Sequence, residues 1–180
     1  MPTYIALLRG INVGGKNKIK MAELRQSLSG LGYTNLQTYI QSGNIVFEAE
    51  AEESAAIEAA IAQRIQADFG YEVPVLALPA QELEDIAAHN PFPAEAEADG
   101  RRMLVTLLQT PPAVEHIEQL KAQTYGSERY VVQDRAVYLY CPDGYGRAKL
   151  NNKFLERKLK VSATTRNWKT VRKLLELAGG

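Results

Sequence analysis

The apolar segments of this chain follow one order of secondary structure, β-α-β-β-α-β, and the order occurs twice. A strand is predicted where a short apolar run is bounded by turn residues, and a helix where apolar side chains recur every three or four positions. The order is that of the split βαβ, or ferredoxin-like, motif. The sequence therefore predicts an α+β protein with two ferredoxin-like (β-α-β-β-α-β) halves in tandem and an appended C-terminal helix.

The first half contains four predicted strands and two predicted helices. The strands are Tyr4–Leu8, Gln37–Ile40, Asn44–Glu48 and Val73–Leu78. The helices are Met21–Leu31 and Ser54–Phe69, each with its apolar residues on one face. Ser54 is a candidate N-cap for the second helix, because a serine hydroxyl can accept a hydrogen bond from a first-turn amide.

The second half repeats this order of elements without repeating any sequence motif. Its extended segments are Met103–Leu108, Glu128–Gln133, Ala136–Cys141 and a short piece at Val161–Thr164. Its helices are Pro111–Gln123 and Leu150–Leu159, and the appended helix is Asn167–Ala178. Thr165 or Asn167 is well placed to cap the appended helix.

A connector joins the two halves and sets the predicted domain boundaries. The N-terminal half covers residues 1–79, the connector 80–101 and the C-terminal half, with its basic tail helices, 102–180. The connector is predicted to hold a helix around Leu83, Ile86 and Ala87, followed by an exposed acidic loop at Ala94–Gly100.

Composition excludes several classes of protein. No apolar run reaches the roughly 18 residues that a transmembrane helix needs, and the N-terminus lacks the pattern of a secretory signal. Cys141 is the single cysteine, so an internal disulfide is impossible, and a cytoplasmic protein without a membrane partner is expected. His89 and His116 have no metal-ligand spacing with Cys141, so neither a metal nor a cofactor is predicted. Nothing in the composition indicates the oligomeric state.

Charge is unevenly distributed along the chain. Between Gly144 and Lys173 there are ten basic residues and one acidic residue, Glu156, which gives this segment a charge of +9. Because the net charge of the chain is zero, the remainder carries −9. The asymmetry favours an anionic partner for the basic segment, although a solvated basic face balanced by an acidic one would have the same composition.

The loop after the first strand resembles a phosphate-binding loop. Gly10 to Lys16 fits G-x-x-x-x-G-K, but Asn17 replaces the Ser or Thr whose hydroxyl binds Mg²⁺. An NTPase is therefore disfavoured. A Gly-rich turn surrounded by cations is a plausible anion cradle. The cations are Arg9, Lys16, Lys18 and Lys20. The alternative is a tight turn with ordinary surface lysines.

Two further segments could contact a partner. Arg166 stands at the predicted start of the last helix, where it could share a bound anion with free amides or pair with a carboxylate elsewhere. Tyr138 and Tyr140 share one face of a strand that is followed by basic residues, a combination found in RNA-binding modules. The alternative for the tyrosines is packing beneath helices. Cys141 is read as a buried small hydrophobe and not as a nucleophile.

Several blocks of sequence are similar to a known family. These are Leu7–Asn17, Lys20-Met21, Tyr39–Asn44, Asn90–Phe92 and Thr164–Val171. Together they resemble a bacterial group catalogued as domain of unknown function 1697. The resemblance implies a compact bacterial α+β protein and implies no activity, so it assigns no catalytic residue.

The residues therefore favour a binding module for a phosphate-bearing partner, either a nucleic acid or a phosphorylated, nucleotide-like small molecule, over an enzyme. The predicted anion-binding residues are Arg9, Asn12, Lys16, Asn17, Lys18, Lys20, Arg147, Lys149, Lys153, Thr165, Arg166 and Lys169. One alternative is a small enzyme acting on a phosphorylated metabolite, with polar ligands drawn from Asn12, Asn17, Ser42, Asn44 and Thr165. Another is a structural or oligomerisation protein.

Overall fold

The computed structural model describes residues 1–179, which divide into two compact units. Unit 1 comprises Met1–Asp85 together with the C-terminal residues from Lys173, and unit 2 comprises Ile86–Arg172. Each unit is built on one four-stranded antiparallel sheet.

Unit 1 contains the first predicted β-α-β-β-α-β series. Its strands are β1 (Thr3–Leu8), β2 (Thr34–Thr38), β3 (Asn44–Glu48) and β4 (Val75–Pro79). Helix α1 (Met21–Ser29) follows β1, α2 (Ser54–Phe69) follows β3, and α3 (Ala80–Ala88) follows β4. The sheet order is β2-β3-β1-β4, so the connection from β1 through α1 to β2 passes over β3. This is the split βαβ arrangement of a ferredoxin-like sheet.

The core of unit 1 forms between the two helices and one face of the sheet. Ile57, Ile61 and Ile65 recur every four positions along α2 and are fully buried. They join a cluster that includes Phe47 of β3, whose ring stacks on Tyr33 with centroids 4.4 Å apart. Each buried isoleucine stabilises the fold by roughly 1.5–3 kcal/mol, so the helical stripe accounts for the position of α2.

Unit 2 repeats this architecture. Its strands are β5 (Met103–Leu108), β6 (Arg129–Gln133), β7 (Ala136–Tyr140) and β8 (Ala163–Asn167). Its helices are α4 (Pro93–Ala98), α5 (Val114–Lys121) and α6 (Asn152–Leu159), with a short 3-10 helix at Tyr145–Arg147. The order β6-β7-β5-β8 matches that of unit 1, and α7 (Trp168–Gly179) follows the last strand. Two ferredoxin-like halves with an appended helix are therefore confirmed.

Both units protect an edge strand with a glutamate from the helix that follows their third strand. In unit 1 the Glu58 carboxylate on α2 accepts a hydrogen bond of 2.8 Å from the Ala77 amide of β4. In unit 2 the Glu156 carboxylate on α6 accepts one of 2.9 Å from the Ala163 amide of β8. An edge amide that is satisfied internally cannot pair with a strand from another chain.

The prediction of an exposed acidic loop at Ala94–Gly100 is wrong for residues 94–98, which are helical. The chain forms α4 from Pro93 to Ala98, with Pro93 at the helix start and Ala96 buried. Alanine and glutamate are strong helix formers, and proline is tolerated in the first turn. The loop was predicted because the segment is acidic, and the helix propensity of its alanines and glutamates was not considered.

Helix caps and strand ends also differ from the sequence predictions. The prediction that Ser54 caps α2 is wrong. Glu53 occupies the N-cap position, and its side chain makes no capping hydrogen bond. The last extended piece lies at Ala163–Asn167 instead of Val161–Thr164, which places Thr165 within β8. Asn167 caps α7, its Oδ1 accepting from the Thr170 amide at 2.9 Å, so this alternative is confirmed over Thr165.

Candidate functional site

The loop between β1 and α1 in unit 1 folds into a miniature hairpin. Val13 and Lys16 form an isolated bridge, and the Lys16 amide donates to the Val13 carbonyl at 3.0 Å. Gly14 and Gly15 form the tip with φ of 58° and 76°, as a two-residue type I′ turn requires. Lys16 is therefore part of a hairpin and lies before Met21, where α1 begins. The G-x-x-x-x-G-K string does not form a phosphate loop that runs directly into a helix.

Two asparagines hold this loop in shape. Asn12, at φ 54°, donates through Nδ2 to the Ile19 carbonyl at 3.0 Å and to the Gln41 carbonyl at 2.8 Å. Its Oδ1 accepts from the Ile19 amide at 2.9 Å. Asn17, at φ 50°, donates to the Gly10 carbonyl at 3.1 Å. Asparagine tolerates the left-handed region better than most residues, and here its amide also replaces backbone partners.

The turn between β2 and β3 packs against the same loop. Gly43, at φ 92°, comes so close to β1 that a Cβ there would lie 2.6 Å from the Leu8 Cβ. The Gly43 carbonyl accepts from the Leu8 amide at 2.8 Å. Ile40 has φ 50°, a strained conformation for a β-branched residue, and 51% of it is exposed. The blocks around Asn12 and Tyr39–Asn44, which are distant in sequence, thus meet at one end of the unit 1 sheet.

An open hollow of about 560 Å³ lies beside these two segments. Its lining includes Asn12, Lys18, Ile19, Lys20, Glu23 and Gln41. Lys18, Lys20 and nearby Lys16 are exposed, and among residues 1–179 none of the three has a carboxylate within 4 Å. Arg9 is half-buried and does not line the hollow. Two lysines of the predicted cradle, Lys18 and Lys20, therefore line one hollow, and Lys16 and Arg9 are not part of its lining.

In unit 2 the predicted cations lie mainly on and around α6. Arg147 belongs to the 3-10 helix, Lys149 follows it, Lys153 lies in the first turn of α6, and all three are exposed. Arg157 lies four residues after Lys153, and residues four apart are neighbours on one helical face. Lys160 follows as the C-cap of α6, in a left-handed conformation with φ 58°. The list of predicted anion-binding residues omitted both, although Arg157 lay within the predicted helix Leu150–Leu159 and Lys160 followed it directly.

Thr165 belongs to a hydrogen-bond network and not to an open cradle. Its hydroxyl lies 2.7 Å from the Thr106 hydroxyl and donates to Asn152 Oδ1 at 2.8 Å. The backbone N–H of Asn152 in turn donates to the Tyr145 hydroxyl at 2.8 Å. The network fixes the start of α6 against β8.

Arg166 is the next residue of β8, and its guanidinium donates to the Thr165 carbonyl at 3.0 Å. Burial lowers the pKa of Arg166 to about 10, while nearby Tyr145 acts in the opposite direction. Arg166 therefore keeps its charge at neutral pH.

Lys169 is exposed on α7, and its backbone amide donates to the Gly100 carbonyl at 3.1 Å.

The tyrosines of β7 are packed, as the alternative to RNA stacking predicted. Tyr138 is 1% exposed, and its hydroxyl donates to the Ile86 carbonyl at 2.7 Å. The Arg129 guanidinium covers the Tyr140 ring at 4.8 Å and also contacts the Phe92 ring at 5.3 Å. Neither the Tyr138 ring nor the Tyr140 ring therefore offers an open face on which a nucleic-acid base could stack.

Cys141 is buried, and burial raises the pKa of its thiol to about 12, with a further contribution from the charge of Glu128. A thiol is nucleophilic only as the thiolate. The predicted burial of Cys141 is confirmed, and the raised pKa disfavours the thiolate.

Comparison with known proteins assigns the chain to a family. The family described as "Protein of unknown function (DUF1697)" matches residues 1–138. The chain belongs to this family. A solved structure, that of the conserved bacterial protein SP0830 from Streptococcus pneumoniae, is similar to this DUF1697 protein with a TM-score of 0.76 and 25% sequence identity. The likeness covers 98% of each chain. No curated protein matches the chain.

Two structural features of this DUF1697 protein bear on the class of its site. Within residues 1–179, no helix combines the length and the apolar character needed to cross a membrane. The same residues contain no group of three or more His, Cys, Asp or Glu side chains arranged to hold a metal ion. The candidate sites are the hollow of unit 1 and the exposed cations on and around α6.

Proposed function

We propose that this DUF1697 protein is a cytoplasmic binding module for a phosphate-bearing partner, and that the partner is a nucleic acid. The observation that carries the proposal is a set of four exposed cations on α6 and at its two ends. We call this set the α6 basic face, and it consists of Lys149, Lys153, Arg157 and Lys160. The single buried cysteine is consistent with a reducing compartment.

The spacing of the basic face suits a phosphate backbone. A helix rises 1.5 Å per residue, so Lys153 and Lys160 lie about 10 Å apart along the axis of α6. A stretch of this length can contact neighbouring phosphates of one strand. Lys149, which precedes the helix, adds a further contact.

The charge of the basic face is not cancelled within the described chain. Among residues 1–179, no carboxylate lies within 4 Å of the charged groups of these four residues. Glu156 is the one acidic residue of α6, and it accepts a hydrogen bond from the Ala163 amide. Glu128 accepts from the amides of Lys149 and Leu150 at 2.8 and 2.9 Å. Both carboxylates thus serve backbone groups, and the cations remain available to phosphates.

The experiment is a fluorescence anisotropy titration with labelled 20-nucleotide single strands and duplexes of DNA and RNA. Lys153→Gln/Lys160→Gln is compared with Arg101→Gln/Lys121→Gln, which removes the same charge from exposed positions of unit 2 outside α6. We expect the α6 variant to bind about tenfold more weakly at low salt, because each lost phosphate contact also removes its counterion release.

The control should change affinity less than about threefold, since it alters only net charge. Equal losses in the two variants would contradict a localised site. Absence of binding by the wild-type protein at low salt would overturn the proposal altogether.

A further inference from the structure

We infer that the hollow of unit 1 is a second, independent binding site, and that its ligand is a small phosphorylated molecule carrying hydroxyl groups, such as a pentose phosphate. The inference does not depend on the α6 basic face, because all the residues that carry it belong to unit 1. It rests on three features of the hollow: a supporting loop fixed by hydrogen bonds, cations without a carboxylate partner, and a carboxylate in the same lining.

The walls of the hollow are fixed by the chain itself. Asn12 makes three hydrogen bonds: two close the β1–α1 loop onto its own Ile19, and one joins the loop to Gln41. Gly43 and Leu8 are in close contact behind this junction. A site whose supporting groups are already satisfied loses little conformational entropy when a ligand binds.

Lys18 and Lys20 supply positive charge to the hollow. Both are exposed, and neither has a carboxylate within 4 Å among residues 1–179. Two ammonium groups that border one hollow repel each other modestly and favour an anion in that space. A phosphate group supplies that charge together with several acceptor oxygens for the lysine N–H donors.

Glu23 distinguishes this hollow from a simple phosphate cradle. Its exposed side chain borders the same hollow, and no salt bridge joins its carboxylate to Lys18 or Lys20. An ionised carboxylate only accepts hydrogen bonds, so it requires donors on the ligand and repels a bare phosphate. Hydroxyl groups on a sugar are such donors, whereas a phosphodiester backbone supplies mainly negative charge.

The size of the hollow agrees with a small ligand. Its volume of about 560 Å³ falls within the range of roughly 300–1,000 Å³ that small-molecule sites occupy. The lysines and the carboxylate both border this space, so one molecule can present phosphate to the former and hydroxyls to the latter. The geometry therefore suits a molecule that carries both kinds of group.

The test is a pair of titrations, with ribose 5-phosphate and with inorganic phosphate, followed by backbone amide chemical shifts in NMR spectra. We expect ribose 5-phosphate to shift the amides of residues 12–23 and 41 and to bind about tenfold more tightly than phosphate, a difference of about 1.4 kcal/mol. Lys18→Gln/Lys20→Gln should weaken both ligands, while Lys153→Gln/Lys160→Gln should affect neither at these amides.

Glu23→Gln gives the decisive outcome, because the two ligands should respond in opposite directions. Ribose 5-phosphate should bind about fivefold more weakly, since a charged acceptor makes the stronger hydrogen bonds, and phosphate about twofold more tightly, since a like charge is removed. Tighter binding of both ligands, or no effect on either, would overturn the role of Glu23. Failure of both ligands to shift these amides at about 10 mM would overturn the site itself.

Discussion

The two units have the same sheet order but carry their candidate sites on different elements. In unit 1 the connection after the first strand runs from Arg9 to Lys20 and forms the hairpin and the hollow. In unit 2 the equivalent connection runs only from Gln109 to Ala113 and includes two prolines. The cations of unit 2 lie instead on α6, which has 8 residues where its counterpart α2 has 16. The comparison teaches that one scaffold can present charge from a shaped loop or from a helical face.

The largest expected effect tests whether the loop of unit 1 depends on its contact with the β2–β3 turn. Gly43→Ala should destabilise the protein by about 4 kcal/mol, because it combines a backbone cost at φ 92° with a clash against Leu8. Urea unfolding followed by circular dichroism measures this cost.

Gly70→Ala is the matched control for Gly43. Gly70 also has positive φ, at 77°, but its Cβ would meet no atom within 4 Å. We expect a cost of about 1 kcal/mol there, from the backbone alone. Similar costs at the two positions would show that the close contact with Leu8 contributes nothing.

A second substitution measures how strongly one side chain holds the loop. Asn12→Ala removes three hydrogen bonds at a positive φ, and we expect a loss of about 3 kcal/mol in urea unfolding. Asn35 shares the positive φ, at 51°, but is exposed in unit 1. Asn35→Ala should therefore cost only about 1 kcal/mol, from the backbone conformation. Equal losses would mean that the Asn12 amide does not stabilise the loop.

The smallest expected effect concerns Cys141, which reports on unit 2 alone because the chain has one cysteine. With the thiol pKa raised to about 12 by burial, we expect no alkylation by iodoacetamide at pH 8 in the folded protein. The native state holds the thiol proton more tightly than the unfolded chain, so stability falls as pH rises above about 9. Prompt labelling at pH 8, with circular dichroism showing the native fold, would contradict the buried position.

Local sequence patterns predicted most of the fold but little of the site. The bounds of α2 were predicted to the residue, because the stripe of Ile57, Ile61 and Ile65 is regular and Gly70 ends the helix in a left-handed conformation. The end of β8 was missed because Arg166 and Asn167 are polar, and their strand is defined by pairing with Val105 and Leu104 of β5. That pairing has no local signature in the sequence.

The candidate sites show the same limit. Composition pointed to the lysines of both units, but the hydrogen bond from Asn12 to Gln41 joins residues 29 positions apart and has no sequence signal. Glu23 was overlooked because a glutamate in the first turn of a helix usually has a simple electrostatic explanation. Only the folded loop places it beside the same hollow as Lys18 and Lys20.

The central claim, nucleic-acid binding by the α6 basic face, is tested most directly by the salt dependence of affinity for single-stranded DNA. With four phosphate contacts, the slope of log K against log salt should be about −3 for the wild-type protein, and about −1.5 for Lys153→Gln/Lys160→Gln. Lys18→Gln/Lys20→Gln in unit 1 should leave the slope near −3. A slope that is flat in the wild-type protein, or that changes only with the unit 1 lysines, would contradict the account.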